Sequence, residues 1–244
     1  MIIWALFDSG NGCYKQVADT MGYEVYAIGM DRENKNSHFI NLDLSNYKYM
    51  FGDKELWNTL DKLPKPDLII ASPPCESWSV ASAMNGGNAC WKTDTMENLF
   101  GTMKGSNFVI RDYEDYENYQ YIPENQILTR INGELCIYNT VQIIKKYKPK
   151  YWVIENPAYG KIWEYIEKIL GWRIPYENLT YYNAYGFEIK KPTRFSSNLE
   201  LNLKKDKIPN KIAFGLVRGY NNRSNIPTEL IEQIFTKIEE KIND

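Results

Sequence analysis

A cysteine and a glutamate each follow an apolar run, and together they could carry out covalent chemistry. Cys75 ends the segment DLIIASPPC (67–75), in which the apolar run predicts a buried strand. Glu155 follows a second apolar run, YWVI (151–154). Because the carboxyl ends of parallel strands meet at one edge of a sheet, we expect the thiol and the carboxylate to share that edge. A thiolate there is a nucleophile, and a carboxylate can stabilise charge on the group under attack.

The composition restricts how such a cysteine could be activated. His38 is the only histidine, so Cys-His and Ser-His-Asp schemes would need that residue in the site. The other cysteines, at 13, 90 and 136, show no CxxC spacing, and four cysteines in 244 residues do not form a disulfide framework. We therefore expect neither a metal site nor a role for disulfides.

A glycine-rich turn follows the first predicted strand, IIWALF (2–7). This turn, DSGNG, contains Gly10 and Gly12, and its position lets a nucleotide-like ligand approach backbone N–H groups. The full GxGxxG pattern is absent, which argues against a dinucleotide. Asp31 follows the second predicted strand (24–30) and suits a ribose diol, whereas Asp43, at the end of the third (39–44), suits an adenine amino group. Each acid taken alone is more often a turn residue, and their placement after successive strands is what favours the binding role.

The alternation of elements predicts an α/β fold with a mostly parallel sheet and helices on both faces. Strands are predicted at the ranges above and at 67–71 and 151–154, and helices at 14–21, 47–63, 134–147, 161–170 and after Pro227. Residues 76–128 interrupt the pattern with a glycine pair and an acidic, tyrosine-rich run (111–125). We interpret 76–128 as an insertion within one domain spanning residues 1–244.

The charge pattern leaves the partner open. The net charge is −2, but basic clusters occur at 145–150, at Lys190, Lys191 and Arg194, and at Arg218 and Arg223. The first cluster is typical of surface lysines, and the other two could line a local cleft. No segment has the length and apolarity of a membrane span, and the N-terminal residues lack the pattern of a signal peptide, so we expect a cytoplasmic protein.

The two strand-end motifs together resemble DNA cytosine-C5 methyltransferases. Pro73-Pro74-Cys75 is similar to the catalytic motif of that family, and Glu155-Asn156-Pro157 to its Glu-Asn motif. The turn at 7–12 is similar to the motif that binds the methionine end of the cofactor. Segments 185–198 (YGFEIKKPTRFSSN) and 223–230 (RSNIPTEL) resemble small, phage-type members. The resemblance covers residues 3–80 and 134–235.

The resemblance implies a Rossmann-like class I methyltransferase that uses S-adenosylmethionine to methylate a cytosine flipped out of duplex DNA. Cys75 would add to C6 of the base, and Glu155 would hydrogen-bond N3 and the exocyclic amine. Arg194 would hold the base carbonyl or a phosphate. The implied cofactor-binding residues are Phe7, Gly10, Gly12, Asp31, Asp43, Pro73 and Asn225.

One departure from the family concerns target recognition. Members usually carry a separate recognition domain, for which the interval 198–223 is too short. Sequence reading would then fall to the insertion, whose tyrosines could stack on bases or bind a protein partner.

Other functions remain open. They are an RNA C5 methyltransferase, a transferase of a modified one-carbon group, and a catalytically silent module that binds DNA or protein. A folate-dependent enzyme like thymidylate synthase fits the parallel pattern poorly. Richness in Lys, Asn, Ile and Tyr is typical of an AT-rich bacterial or phage genome.

Overall fold

A computed structural model of the chain describes residues 1–8, 12–31, 39–98, 101–206, 208–209 and 225–244. The strands in these residues are β1 (Ile2–Leu6), β2 (Glu24–Gly29), β3 (Phe39–Asn41), β4 (Leu68–Ala71), β5 (Ala83–Met84), β6 (Gly87–Asn88), β7 (Trp91–Lys92), β8 (Thr95–Asn98), β9 (Gly101–Lys104), β10 (Val109–Ile110), β11 (Tyr151–Pro157), β12 (Leu179–Tyr181) and β13 (Pro192–Ser197). The α-helices are α1 (Cys13–Thr20), α2 (Glu55–Leu60), α3 (Pro123–Tyr147), α4 (Ile162–Lys168) and α5 (Thr228–Asn243).

The main sheet has seven strands in the order β12-β13-β11-β4-β1-β2-β3. Strands β11, β4, β1, β2 and β3 pair in parallel, whereas β13 is antiparallel to both β11 and β12. Ala71 at the end of β4 pairs with Leu6 of β1 on one side and with Ile154 of β11 on the other. The three strands therefore reach the carboxyl edge of the sheet together.

Helices cover both faces of this sheet. On one face, α1 and α5 bury residues such as Val17 and Phe235 against β1, β2 and β4. On the other face, α2, α3 and α4 bury residues such as Leu60, Ile137 and Ile166. All four residues of β4 are buried, because a central parallel strand covered on two sides must be apolar throughout. The predicted fold class, a mostly parallel Rossmann-like sheet between two helical layers, is confirmed.

The segment between β4 and α3 forms small antiparallel sheets. Strands β10, β7, β6 and β5 make one sheet, and β8 and β9 make a hairpin. Arg111, which is 6% exposed, donates to the carbonyl oxygens of Asn85, Asn88 and Trp91 and so holds the small sheet together. Trp91 stacks on Trp78 at 5.9 Å between ring centroids, which fastens this sheet to the main core.

Two helical segments differ from their predicted bounds. Helix α3 begins at Pro123, well before the predicted start near residue 134, because Pro123 suits the first turn of a helix. Its N-terminal half leaves Ile127, Leu128 and Ile131 exposed, which removes the amphipathic pattern that the sequence analysis relied on. The predicted helix at 47–63 is divided into a 3-10 helix (Lys48–Phe51) and α2, because Gly52, at a φ of 94°, ends the first piece.

The lysine cluster at 145–150 lies at the end of α3 that leads into β11, away from the carboxyl edge of the sheet. Lys146 pairs with Asp61 at 2.7 Å. The Lys150 ammonium donates to the carbonyl oxygens of Lys241 and Ile242 at the end of α5. These contacts agree with the interpretation of the cluster as surface lysines. None of the helices in the described residues combines the length and apolarity needed to cross a membrane.

Candidate active site at the carboxyl edge of the sheet

The loop after β4 brings Cys75 to the carboxyl edge of the sheet. The Ser72 amide donates to the Leu6 carbonyl oxygen at 3.2 Å, which continues the strand pairing by one residue. The Cys75 carbonyl oxygen then accepts bonds from the amides of Trp78 and Ser79 at 3.0 and 2.9 Å, so the chain turns sharply. The half-buried Cys75 side chain therefore sits at the start of a fixed turn.

Helix α3 lies directly against the residues that follow Cys75. A Cβ atom at Gly133 would lie 2.0 Å from Ser77 Oγ and 3.2 Å from Trp78 Nε1. Only glycine at position 133 permits α3 to come this close to Ser77 and Trp78, so α3 packs directly against the turn that follows Cys75.

Asn156 joins the cysteine loop to the strand that carries the carboxylate. Its side chain is fully buried, and its Nδ2 donates to the Pro73 carbonyl oxygen at 2.8 Å. Glu155 is the preceding residue of β11 and points to the opposite face of the strand. One side chain of the Glu-Asn motif thus holds the loop while the other is presented to the site.

Glu155 is 8% exposed and is surrounded by hydroxyl groups. The Tyr182 hydroxyl donates to Glu155 Oε1 at 3.2 Å, and the Ser72 hydroxyl, which lies 2.6 Å from the Tyr14 hydroxyl, also favours the charged carboxylate. Burial raises the pKa of Glu155, whereas Lys191 and the two hydroxyls oppose the rise. The carboxyl group is therefore poised to hold a proton more readily than an exposed glutamate.

The Cys75 thiol is protonated at neutral pH in this structure. Burial raises its pKa to about 12, and the negative charges of Glu76 and Glu155 add to the rise. Lys191 is the cation that opposes them. A cysteine in this state needs a change in its surroundings before it can act as a nucleophile.

Lys191 is a site residue that the sequence analysis did not single out. Its Nζ lies 4.5 Å from the centroid of the Tyr182 ring, and its charge lowers the pKa values of Cys75, Glu155 and Cys13. Neighbouring Lys190 instead lies over Tyr181, with its Nζ 4.7 Å from that ring centroid. The sequence analysis placed Lys190 and Lys191 together in a basic cluster, but the sequence does not indicate which of the two lysines lies near Cys75.

Arg194 is not brought together with Cys75 and Glu155. On β13 it pairs with Asn156, whereas Glu155 pairs with Phe195, so Arg194 and Glu155 point to opposite faces of the sheet. The guanidinium lies 4.5 Å from the centroid of the Trp163 ring and 3.4 Å from Glu177 Oε1. Its position fits packing between β13 and α4.

The turn after β1 has an unusual backbone and a buried acid. Phe7 has a φ of 64°, and Gly12, the N-cap of α1, has a φ of 60°. Asp8 caps the first turn of α1, because its two oxygens accept the amides of Tyr14 and Lys15 at 3.2 and 2.9 Å. Burial raises the pKa of Asp8 to about 6. Gly10, a predicted cofactor-binding residue, lies outside the described residues.

The remaining predicted cofactor residues lie at the same edge of the sheet. Asp31 follows β2, and its amide donates to Asn41 Oδ1 at 3.3 Å. Asp43 Oδ1 accepts both the amide and the hydroxyl of Ser45, the geometry of a turn acid. Asn225 Oδ1 accepts a weak bond from the Cys13 thiol at 3.7 Å. Pro73 is buried, and its carbonyl oxygen accepts the hydrogen bond from Asn156.

The tyrosines of the acidic run make contacts within their own part of the chain. Tyr116 is 6% exposed and donates to the Ala89 carbonyl oxygen, and Tyr119 accepts the Asn85 amide through its hydroxyl. Tyr113, bonded to Glu124, is 64% exposed. His38 lies outside the described residues, and within them no group of three or more His, Cys, Asp or Glu side chains could hold a metal ion.

Comparison with known proteins finds a family model that matches part of the chain. Residues 6–100 match the family model of C-5 cytosine-specific DNA methylases. No curated protein sequence is significantly similar to the chain.

Among solved structures, the chain is similar to one described as a DNA modification methyltransferase encoded within a prophage of E. coli. The two are 16% identical, with a TM-score of 0.42 over 81% of this chain, and the match spans 46% of that protein.

The matched family segment contains the glycine turn, the acids after β2 and β3, and the cysteine loop. The resemblance predicted from the sequence is therefore confirmed for residues 6–100, which match that family model.

Proposed function

We propose that this protein is an S-adenosylmethionine-dependent DNA methyltransferase that methylates C5 of cytosine. The observation that carries the proposal is the bond from Asn156 to Pro73, which sets the Cys75 loop beside the strand that presents Glu155. C5 chemistry on a pyrimidine requires a nucleophile and a carboxyl group, and both are present at this edge of the α/β sheet.

Each of these side chains has a distinct task in the proposed reaction. The Cys75 sulfur adds to C6 of the base, and this step needs the thiolate, which the nearby charge of Lys191 favours. Negative charge then develops on the ring, and Glu155, whose pKa is raised by burial, stabilises it by sharing a proton with N3. The cofactor, when bound, would supply a methyl group on a positively charged sulfur. Loss of the C5 proton to a base and breakage of the Cys75–C6 bond would then restore the aromatic ring and free the cysteine.

The groups at the ends of β1, β2 and β3 form the proposed cofactor site. The turn containing Phe7, Gly10 and Gly12 would receive the methionine end. Asp31 and Asp43 supply carboxylates suited to ribose hydroxyl and adenine amino groups, with Pro73 and Asn225 completing the site. The left-handed backbone at Phe7 and Gly12 supports this assignment, because such a turn is costly for Phe7 and is kept where a ligand approaches closely.

The proposed substrate is duplex DNA with the target cytosine flipped out of the stack, since a thiol on a rigid loop cannot reach C6 inside a helix. The whole chain acts as one domain in this proposal, and the inserted sheets at 76–128 contact DNA or a protein partner. Arg194 is left out of the catalytic set because it lies on the opposite face of the sheet from Glu155.

Covalent trapping tests this proposal. Duplex DNA containing 5-fluorocytosine blocks the final elimination, so a working enzyme stays attached through its nucleophile. We expect a denaturation-resistant adduct that requires S-adenosylmethionine and disappears in Cys75→Ala. Cys90→Ala is the matched control, because Cys90 is also a free cysteine but lies buried in the core, and it should retain the adduct.

The alternatives make different predictions in the same experiment. Trapping on 5-fluorocytosine RNA but not on DNA would replace the DNA proposal with an RNA enzyme. Cofactor binding without any adduct would contradict the proposed nucleophile. Absence of both would favour a silent binding module.

A further inference from the structure

One face of helix α3 exposes a line of apolar side chains. Leu128, Ile131 and Tyr138 are 66%, 42% and 39% exposed, and Leu135 between them is half-buried. Successive members of this group, named the α3 stripe, are three, four and three residues apart. Because residues three and four apart are neighbours on a helix surface, this spacing places the four side chains in one line along α3.

The opposite face of α3 makes its packing within the chain. Ile137 and Ile144 are buried in the main core, and Gly133 packs directly against Ser77. The outward face of such a helix is ordinarily polar. A solvent-exposed apolar line with alternating spacings of three and four residues is instead typical of a surface that a second helix covers.

The same line continues into opposite charges at its two ends. Glu124 lies four residues before Leu128, and Lys145 lies seven residues after Tyr138, with both charged side chains exposed. The Tyr113 hydroxyl donates to Glu124 and lowers the pKa of this carboxyl group, so Glu124 is ionised at neutral pH. The line therefore begins with a negative charge and ends with a positive one, roughly 32 Å farther along the helix.

A line of this kind is complementary to its own reverse. We propose that the α3 stripe is an interface with a second copy of this chain, in which two α3 helices pack antiparallel about a two-fold axis near Leu135. Ile131 of each copy faces Tyr138 of the other, and Glu124 of each copy meets Lys145 of the other. The two-fold symmetry makes every such contact twice.

The charges around the stripe favour a protein partner over nucleic acid. Exposed acids occupy the N-terminal end of α3 and the segment before it, at positions 112, 114, 117, 124 and 125. These carboxylates repel phosphate groups. In the antiparallel pair, the acidic end of one copy instead approaches the lysine cluster at 145–150 of the other.

The 3-10 helix Lys48–Phe51 extends the apolar surface beside the C-terminal half of the stripe. The Tyr49 hydroxyl donates to Asn139 Oδ1 at 2.9 Å, which holds this short helix next to Tyr138. Met50 and Phe51 are 73% and 81% exposed. In the antiparallel arrangement they lie near the N-terminal half of the other α3, so they enlarge the apolar area that association removes from water.

This inference does not rest on the proposed function. The turn after Cys75 packs on the face of α3 that contains Gly133, opposite the stripe. Pairing through the stripe therefore leaves the candidate active site of each copy uncovered, and association can be measured without DNA or cofactor.

Sedimentation velocity over a range of protein concentrations tests the proposal. We expect the parent chain to form a dimer at micromolar concentrations. Ile131→Glu should raise the dissociation constant by about a hundredfold or more, because it places a charge in the apolar contact twice. Leu128→Glu changes a more exposed position and should act similarly, with a thermal melt close to that of the parent.

Charge reversal tests the antiparallel orientation. Glu124→Lys and Lys145→Glu should each weaken the dimer about tenfold, because like charges then meet at both ends. An equimolar mixture of these two variants should associate like the parent, since opposite charges meet again at both ends of the mixed pair. Glu200→Lys is the matched control: it makes the same change of charge between Leu199 and Leu201, on the side of the sheet covered by α1 and α5, and should leave association unchanged.

Three results would overturn the proposal. A parent chain that stays monomeric at every concentration would exclude a second copy as the occupant, and DNA binding weakened by Leu128→Glu would then assign the surface to nucleic acid. A dimer unaffected by both Ile131→Glu and Leu128→Glu would have a different interface. Two weakened charge variants whose mixture does not recover would contradict the antiparallel pairing.

Discussion

Asn156 and Pro73 are joined by a hydrogen bond of 2.8 Å between the amide nitrogen of one and the carbonyl oxygen of the other. This single bond connects β11 to the loop after β4, and it leaves Glu155 free to point toward the hydroxyls on the other face. The relative placement of Cys75 and Glu155 therefore depends on the buried Asn156 side chain, which bonds the loop instead of either reactive group.

Asn156→Ala should slow formation of the 5-fluorocytosine adduct by more than its effect on folding explains. The variant loses a buried hydrogen bond, which costs about 1–3 kcal/mol of stability, and it also frees the Pro73 carbonyl and loosens the cysteine loop. Trapping rates together with thermal melts measure both effects.

Asn139→Ala is the matched control for Asn156→Ala. Asn139 is an equally buried amide that donates to the carbonyl oxygens of Leu44 and Asn46, far along α3 from the loop. It should lower stability similarly while leaving the trapping rate of the folded protein near that of the parent, measured at saturating S-adenosylmethionine because Leu44 and Asn46 flank Asp43 of the proposed cofactor site. Equal rates in the two variants would contradict a positioning role for Asn156.

Lys191→Met should reduce the reactivity of Cys75, because it removes the cation that opposes the rise in the thiol pKa. We expect about a tenfold slower trapping at neutral pH, corresponding to a pKa change of about one. Lys191→Arg should restore most of the rate. Lys190→Met, which removes the neighbouring ammonium over Tyr181, should change the trapping rate little. An equal loss of trapping rate in Lys190→Met and Lys191→Met would indicate a general effect of positive charge.

Alkylation of Cys75 by iodoacetamide should accelerate with pH. A thiol pKa of about 12 means that the thiolate fraction rises about tenfold for each pH unit between neutral pH and pH 9 or so. Mass spectrometry of the peptide containing Cys75 follows the reaction, with Cys75→Ala as the blank. A rate that levels off near neutral pH would show a thiol already activated in the free protein.

Asp8 should make stability fall as the pH rises toward neutrality. Its pKa is raised from 3.8 to about 6, so the folded protein binds more protons than the unfolded chain in this interval. The stability contributed by the protonated group is complete below the unfolded pKa and is lost as the pH rises through about 6.

Comparison with Asp8→Asn isolates this contribution. The melting temperature of the parent, relative to that of Asp8→Asn, should be highest near pH 4 and should decrease toward pH 7 or so. A constant difference between the two proteins would mean that Asp8 titrates normally.

Arg194→Met should affect stability more than catalysis. The guanidinium stacks on Trp163 and pairs with Glu177, contacts worth about 1–2 kcal/mol in a partly buried setting. The folded variant should form the 5-fluorocytosine adduct at a rate within about twofold of the parent, a change below 0.5 kcal/mol or so. A loss of more than tenfold would restore the expectation that Arg194 contacts the base or a phosphate.

Much of the site was predictable from the sequence, because its main residues follow apolar runs. Cys75 lies shortly after β4, and Glu155 directly follows the apolar part of β11. Parallel strands order their carboxyl ends at one edge of the sheet. The alternation of strands and helices predicted this edge, and the family match at 6–100 agrees with the motif around Cys75.

Only the tertiary structure decided what surrounds the two residues. Tyr14, Ser72, Tyr182 and Lys191 come from four parts of the chain, and the sequence contains no local signal that they meet. The face of β13 on which Arg194 lies depends on the antiparallel register that pairs it with Asn156. A shift of that register by one residue would turn Arg194 toward the other face, and register is determined by packing between distant segments, which no local pattern specifies.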